Sequence, residues 1–168
     1  RTTSRNGVRS LFSSMCGIFG YVGPSTKAAS IVLKGLKDLE YRGYDSWGIA
    51  AVPANGTGEV KIVIKKKQAK IGNATIEDMP KSSFAFGHTR WATHGGVTDI
   101  NAHPHLDCTG AIAIIHNGIV ENYSEIKERL VKIGHRFLSE TDTEVAVHLI
   151  EEYAKTMLFS KAVQKAFN

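Results

Sequence analysis

Cysteine is scarce in this 168-residue chain: there are two, Cys16 and Cys108, far apart and in no metal-binding or redox spacing. Two cysteines in so long a chain exclude a disulfide scaffold, and a reducing cytosol fits best. No apolar run approaches the roughly 20 residues that a membrane-spanning helix requires, so no membrane association is expected. No internal repeat is visible. Acidic residues are missing from the first fourteen positions, and that stretch has no apolar h-region, which excludes a secretory signal. An Arg-rich, acid-poor leader resembles a transit peptide, but this one is very short, and residue 1 is not Met. The expectation is that translation starts at Met15 and that residues 1–14 are an upstream extension, disordered or not native. The net charge of +5 comes partly from this stretch and partly from Lys61, Lys65, Lys66, Lys67 and Lys70. No aromatic residues interleave with those lysines as a nucleic-acid stacking platform requires, so no nucleic-acid partner is expected.

What is present is an ordinary globular composition, 42% hydrophobic and 22% charged, enough for one domain with a sizeable core. Ile18–Val22 reads as a buried strand. From Ser25 to Tyr41, Ala29, Val32, Leu33, Leu36 and Leu39 recur at helical spacing. A turn-prone break at 42–46 leads to a strand over 47–52, a hairpin loop over 53–58 and a returning strand over 59–65. Residues 66–82 read as a short helix and a loop, and 83–90 as another strand. Trp91–Gly110 is a long irregular stretch of the kind that is usually functional. A strand over 111–116 follows. A helix from Asn122 to Gly134 carries Tyr123, Ile126, Leu130 and Ile133 on one face, with Asn122 and Glu125 as a capping pair. Thr141–Glu144 opens another helix by the same logic, to about Tyr153, and the chain ends in a helix over 159–167. Strands and helices in blocks favour an α+β layered fold over a doubly wound sheet.

One short stretch combines chemistry with rigidity. Met15 followed by Cys16 and Gly17 is a site where Met removal would leave Cys16 with a free α-amine, whose reference pKa of about 7.7–8.0 suits a base near neutral pH. Thiol and base would then share one residue at the start of a core strand. Against this stands the reading of Cys16 as a buried small hydrophobe.

Six motifs occur in order: Cys16-Gly17-Ile18; Leu39-Glu40-Tyr41-Arg42-Gly43-Tyr44-Asp45-Ser46; Gly87-His88-Thr89-Arg90-Trp91-Ala92-Thr93-His94-Gly95; Asn101-Ala102-His103-Pro104-His105; His116-Asn117-Gly118-Ile119-Val120-Glu121-Asn122-Tyr123; and Ser139-Glu140-Thr141-Asp142-Thr143-Glu144. From Met15 to about Tyr153 the chain resembles the class II glutaminase domains of the glutamine–fructose-6-phosphate aminotransferase (isomerizing) family. The amidophosphoribosyltransferase glutaminases share the Cys-Gly-Ile and His-Asn-Gly but differ at Tyr41–Asp45 and Thr89–Gly95, and they are the alternative.

The resemblance implies an N-terminal-nucleophile hydrolase fold, a four-layer αββα sandwich, with residues 15–168 an incomplete amidotransferase domain cut at its C-terminal end and the sugar isomerase domains absent. It implies glutamine hydrolysis to supply ammonia for making glucosamine 6-phosphate, with fructose 6-phosphate bound through the missing domains, a cytoplasmic homodimer of the full-length enzyme, and no cofactor. Cys16 would attack the glutamine carboxamide, and Asn117 and Gly118 would supply the oxyanion hole; the plain alternative for Asn117-Gly118 is a tight turn. Arg90 would hold the α-carboxylate, against a surface arginine at a strand end. Asp142 would hold the α-ammonium, against a helix N-cap. Arg42 would support the pocket, against an ion pair with Asp45. Trp91, Thr93 and His94 would bind substrate from a closing loop, against core packing for Trp91. His88, His94, His103, His105 and His116 invite a zinc reading, but they show no helical i, i+4 pairing and no acidic residue interleaved at ligand spacing, so no metal ligands are assigned. Trp47 stands where the family pattern has a small residue, which requires room for an indole.

Overall fold

A computed structural model describes residues 16–54, 61–92 and 95–168. The hairpin loop expected over 53–58 and the start of the strand after it fall mostly outside these residues, as do Thr93 and His94. Four strands, β1 (Gly17–Val22), β2 (Ser46–Ala51), β3 (Val63–Lys67) and β4 (Phe84–Arg90), form one antiparallel sheet in the order β1-β4-β2-β3. Helix α1 (Ala28–Leu39) lies across β1, β4 and β2. A second, two-stranded sheet joins β5 (His105–Leu106) to β6 (Ala113–Ile114), and α3 (Thr143–Ala154) packs on it. Helices α2 (Tyr123–Lys132) and α4 (Phe159–Ala166) flank α3.

The period of two along β4 sends its side chains to two environments. Towards α1, Phe19, Tyr21, Trp47, Ile49, Ala51 and Ala85 meet Val32, Leu33 and Leu36 in one apolar core. The Trp47 indole finds its room here and is only 2% exposed. Gly35 and Gly87 make the close approach of helix to sheet: a Cβ on Gly35 would stand 2.5 Å from the Phe19 ring, and one on Gly87 2.7 Å from Leu36. On the sheet's other face Gly48 lies against the segment entering β5, where a Cβ would meet the His103 carbonyl at 2.2 Å. A second apolar group, Leu130, Val145 and Leu149 with Tyr123, Ile126, Phe137 and Tyr153, joins α2, α3 and α4.

Several expected elements shift, each for a local reason. Helix α1 starts at Ala28 rather than Ser25, because Thr26–Ala28 is tied to Ser82 through Ser82 N–H to Thr26 O (2.9 Å) and Ala28 N–H to Ser82 O (3.0 Å). The returning strand runs to Lys67, and the short helix expected after it is a series of turns: Ile71, Ala74, Ile76 and Met79 pack on the core, and the Glu40 carboxylate accepts the Ile71 amide. The strand expected over 111–116 shrinks to Ala113–Ile114, since Asp107 captures the preceding turn, accepting from the Ile112 amide (2.8 Å) and the Thr109 hydroxyl (2.5 Å). Neither Asn122 nor Asp142 caps its helix with a side-chain bond, and Ile133 follows α2 in an exposed position. The lysine-rich stretch is partly neutralised: Lys65 pairs with Asp78 (2.5 Å) and Lys67 with Asp99 (3.5 Å). No helix among the described residues is long and apolar enough to cross a membrane.

Candidate active site

Cys16 sits half-buried just before β1, where antiparallel pairing with β4 sets it beside the end of that strand. The Trp91 amide donates to Cys16 Sγ at 3.2 Å, and the Gly17 amide donates to Thr89 Oγ1 at 3.0 Å, so residues on both sides of Arg90 hold the thiol in place. Asn117, 101 residues away in sequence, donates from Nδ2 to the Cys16 carbonyl at 3.0 Å. Its Oδ1 lies 2.7 Å from His88 Nε2. Burial is the main force on His88 and lowers its pKa to about 4, with the Asn117 bond opposing, so the ring is neutral at physiological pH. A neutral ring with its proton on Nε2 donates to Oδ1, which fixes the amide's orientation. One Nδ2 hydrogen serves Cys16, and the other is left to point outward from an exposed residue. Gly118 follows, also exposed, and a Cβ there would collide with the His116 ring at 2.6 Å.

Arg90 is not the surface arginine of the plain reading: it is 4% exposed. Its Nη1 donates to the Gly96 carbonyl at 3.3 Å. Burial lowers its pKa, while the nearby charges of Cys16, Asp45 and Asp142 oppose that shift, which places the four groups in one electrostatic neighbourhood. Asp142 is buried as well; it occupies the N-cap position of α3 but makes no side-chain capping bond, and its Oδ2 instead accepts the Val120 amide at 2.7 Å, docking the segment after Asn117-Gly118 onto the start of α3. Arg42 is half-buried and forms no ion pair with Asp45, whose carboxylate instead accepts the Ala92 amide at 3.0 Å. Trp91 is half-buried rather than in the core, edge-on to Tyr44 at 5.2 Å. The loop after β4 is anchored again at Gly96, whose carbonyl accepts from Asn101 Nδ2 (3.0 Å) and whose amide donates to Glu140 (3.3 Å).

Three of the five clustered histidines form a buried stack, with ring centroids 4.4 Å apart for His88 and His103 and 4.7 Å for His103 and His105. Burial lowers all three pKa values, His105 to about 3, and Thr141 Oγ1 bonds His105 Nε2 at 2.9 Å. In the sequence His88 stood out only as one of five clustered histidines, and its place behind Asn117 was not expected. The alternation of β4, which sets His88 and Arg90 on one face, was the available signal. Thr89, and the actual partner of Asp45, were not legible either, since both side chains bond backbone amides and leave no periodic trace. A separate group of possible metal ligands, Cys108, His135, His148 and Glu151, lies on other elements.

A family model of the glutamine amidotransferase domain matches residues 64–163. The chain belongs to the glutamine amidotransferase domain family. Among curated relatives, the glutamine–fructose-6-phosphate aminotransferase [isomerizing] of Thermococcus kodakarensis is 51% identical over 161 residues, which cover 92% of this chain and 25% of the relative. The enzyme of the same name from Pyrococcus horikoshii is 54% identical over 142 residues, 82% of this chain and 23% of the relative. This amidotransferase chain therefore spans about a quarter of the length of the curated relatives it matches. Among solved structures, glutamine phosphoribosylpyrophosphate amidotransferase from B. subtilis, complexed with ADP and GMP, superposes with a TM-score of 0.69 at 27% identity, covering 89% of this chain and 32% of that one. A structure titled as the allosteric regulatory enzyme of purine biosynthesis gives 0.71 at 29% identity, with the same coverages.

Proposed function

We propose that this chain is the glutaminase domain of a glutamine–fructose-6-phosphate aminotransferase (isomerizing), built on the four-layer αββα fold of N-terminal-nucleophile hydrolases. The observation that carries the reading is the convergence of Cys16, the Arg90–Trp91 strand end and Asn117, brought together from 75 and 101 residues apart. Once Cys16 is the first residue, its α-amine takes the thiol proton, directly or through a water, and Sγ attacks the glutamine carboxamide carbon. Charge develops on the amide oxygen, facing the free Asn117 N–H and the Gly118 amide. One such donor is worth about 3–4 kcal/mol in the transition state. The C–N bond then breaks, the protonated nitrogen leaves as ammonia, and water hydrolyses the thioester to glutamate and the thiol.

Arg90 takes the substrate α-carboxylate in a planar fork and Asp142 takes the α-ammonium, with Arg42, Trp91, Thr93 and His94 completing the pocket. In the full-length enzyme, a cytoplasmic homodimer, the ammonia reacts with fructose 6-phosphate held on the sugar isomerase domains. The amidophosphoribosyltransferase reading is less well supported, since glutamine phosphoribosylpyrophosphate amidotransferase matches at 27% identity against 51% and 54% for the hexosamine enzymes.

The test is to supply the full protein with glutamine and either fructose 6-phosphate or phosphoribosyl pyrophosphate. Glucosamine 6-phosphate should form with the first and no amination should occur with the second. A glutamine-like electrophile should modify Cys16 and not Cys108. Amination of the pyrophosphate sugar, or labelling of Cys108 alone, overturns the reading.

A further inference from the structure

Cys108 lies in the turn between β5 and β6, His135 follows α2, and His148 and Glu151 occupy one face of α3. One ligating atom from each of the four lies within 4.8 Å of the others. Cys108 Sγ is 3.7 Å from His135 Nδ1 and 3.6 Å from His148 Nδ1, and Glu151 Oε2 is 3.1 Å and 3.0 Å from the same two nitrogens. A tetrahedral zinc with bonds of about 2.3 Å to sulfur and about 2.0–2.1 Å to nitrogen separates sulfur from nitrogen by about 3.6 Å, and nitrogen from oxygen by about 3.3 Å. The four atoms already stand close to these edges.

The outer contacts favour the same occupant. Metal-bound histidines usually give their second nitrogen to a carboxylate, which fixes ring and tautomer. His135 Nε2 meets Glu152 at 2.9 Å, while His148 Nε2 has the Glu144 carboxylate at 3.7 Å, beyond hydrogen-bond reach; both Nδ1 atoms are turned inward on Cys108 and Glu151. The Cys108 sulfur accepts the Arg136 amide at 3.5 Å, and Glu151 Oε2 accepts the Cys108 amide at 3.1 Å. The two rings, 6% and 1% exposed, sit edge to face at 5.3 Å. A zinc ion with one thiolate, one carboxylate and two neutral imidazoles carries no net charge, and Cys108 is exposed, so an ion can reach the site from solvent.

We propose that Cys108, His135, His148 and Glu151 bind one zinc ion. Four protein ligands make a closed, structural site rather than a catalytic one with an open position. Binding releases the Cys108 thiol proton to solvent and ties the β5–β6 turn and the α2–α3 connection to α3. The β5–β6 hairpin runs directly into His116 and Asn117, so the ion braces the element that carries the oxyanion residues without taking part in their chemistry.

The full protein, purified without chelator, should hold about one zinc per chain by elemental analysis. Exchange for cobalt(II) should give a thiolate-to-metal charge-transfer band together with the visible bands of a four-coordinate ion. Cys108→Ser should abolish the charge-transfer band, and His148→Ala should bring bound metal down to background. Removing the metal from the wild-type protein should lower its thermal midpoint, and adding zinc back should restore it. Folded wild-type protein that takes up only trace zinc and shows no thiolate band with cobalt overturns the proposal, and neither reading needs a variant that folds. A cobalt spectrum unchanged by Cys108→Ser overturns it as well.

Discussion

On the face of the four-stranded sheet that meets α1, β4 presents Ala85, Gly87 and Thr89; on the other face it presents His88 and Arg90. The first face is filled by shape. Trp47, Ile49 and Leu36 are buried with scarcely an unpaired polar atom among them, and glycines remain where a single Cβ would collide. The second face is polar and held by a few specific hydrogen bonds, with Ser46 Oγ, His88 Nδ1 and His103 Nδ1 left without partners among the described residues. His88 is held by Asn117, Arg90 by Gly96, and Asp142 by the Val120 amide. A buried apolar surface contributes stability in proportion to its area and is indifferent to direction, whereas buried polar groups must be matched partner by partner and so fix geometry. The comparison predicts that substitutions on the α1 side cost stability and spare chemistry, and that substitutions on the other side do the reverse.

The largest effect is expected at the edge between the two faces. Cys16→Ala should abolish glutamine hydrolysis in the full protein while leaving its thermal midpoint within a few degrees of wild type. Keeping residues 1–14 on the chain, verified by intact mass, should do the same, because the Cys16 nitrogen is then an amide. Full-rate hydrolysis by the extended form would remove the amine from the mechanism. On the α1 side, Trp47→Ala should cost about 3–5 kcal/mol in urea unfolding, with near-normal turnover in the fraction that remains folded. A loss of turnover without a loss of stability there would undo the division of the two faces.

Across the sheet, Asn117→Ala should lower glutaminase kcat by about 10²–10³-fold with a smaller change in KM. An effect confined to stability would return Asn117-Gly118 to a plain turn. Arg90→Lys and Asp142→Asn should each raise the glutamine KM, by about 10-fold or more, since a point charge cannot replace the guanidinium fork and a neutral amide leaves the ammonium unpaired. Wild-type KM in both variants would remove those two residues from substrate binding.

The smallest effect per residue concerns pH. Burial holds His88 at about 4 and His105 at about 3, and His103 well below 6.5; the facing charges are Arg90, Lys66, Glu144 and, for His88, His116. The unfolded chain therefore takes up protons near pH 6.5 that the folded chain refuses. Stability is complete above that pH and declines as the pH falls towards 4, by about 1.4 kcal/mol per histidine at pH 5.5. Burial pushes the Glu144 carboxyl up, but the Leu138 and Ser139 donors and the nearby His148 ring outweigh it and hold the pKa at about 2, so a further loss begins below about pH 4.5. Thermal midpoints should hold level from pH 7.5 to about 6.5 and fall from there to 4.5, and a profile flat over the whole range would mean that the stack is open to protons.

The elements with a strong period were legible in the chain itself. The repeat through Val32, Leu33 and Leu36 matched α1 to within a few residues, and the apolar runs located β1, β2 and β4. Ordered motifs named the residues that now converge at Cys16. Boundaries failed where a side chain competed with the backbone: Asp107 shortened β6, and the Ser82 contacts delayed α1. Such contests depend on which groups meet, and neighbours in space do not announce themselves in spacing.

The sequence by itself determined the nucleophile candidate, the helix and strand periods, and the kind of residue available for each role, because these depend on chemical type and on local repeat. Only the tertiary structure decided that Arg90 is buried rather than a surface charge, that the Asp142 side chain takes the Val120 amide rather than capping α3, that His88 stands behind Asn117, and that Cys108 meets His135, His148 and Glu151. Each of these depends on contacts between segments distant along the chain, and their energy comes from desolvation and from bond geometry that exist only once the layers have closed.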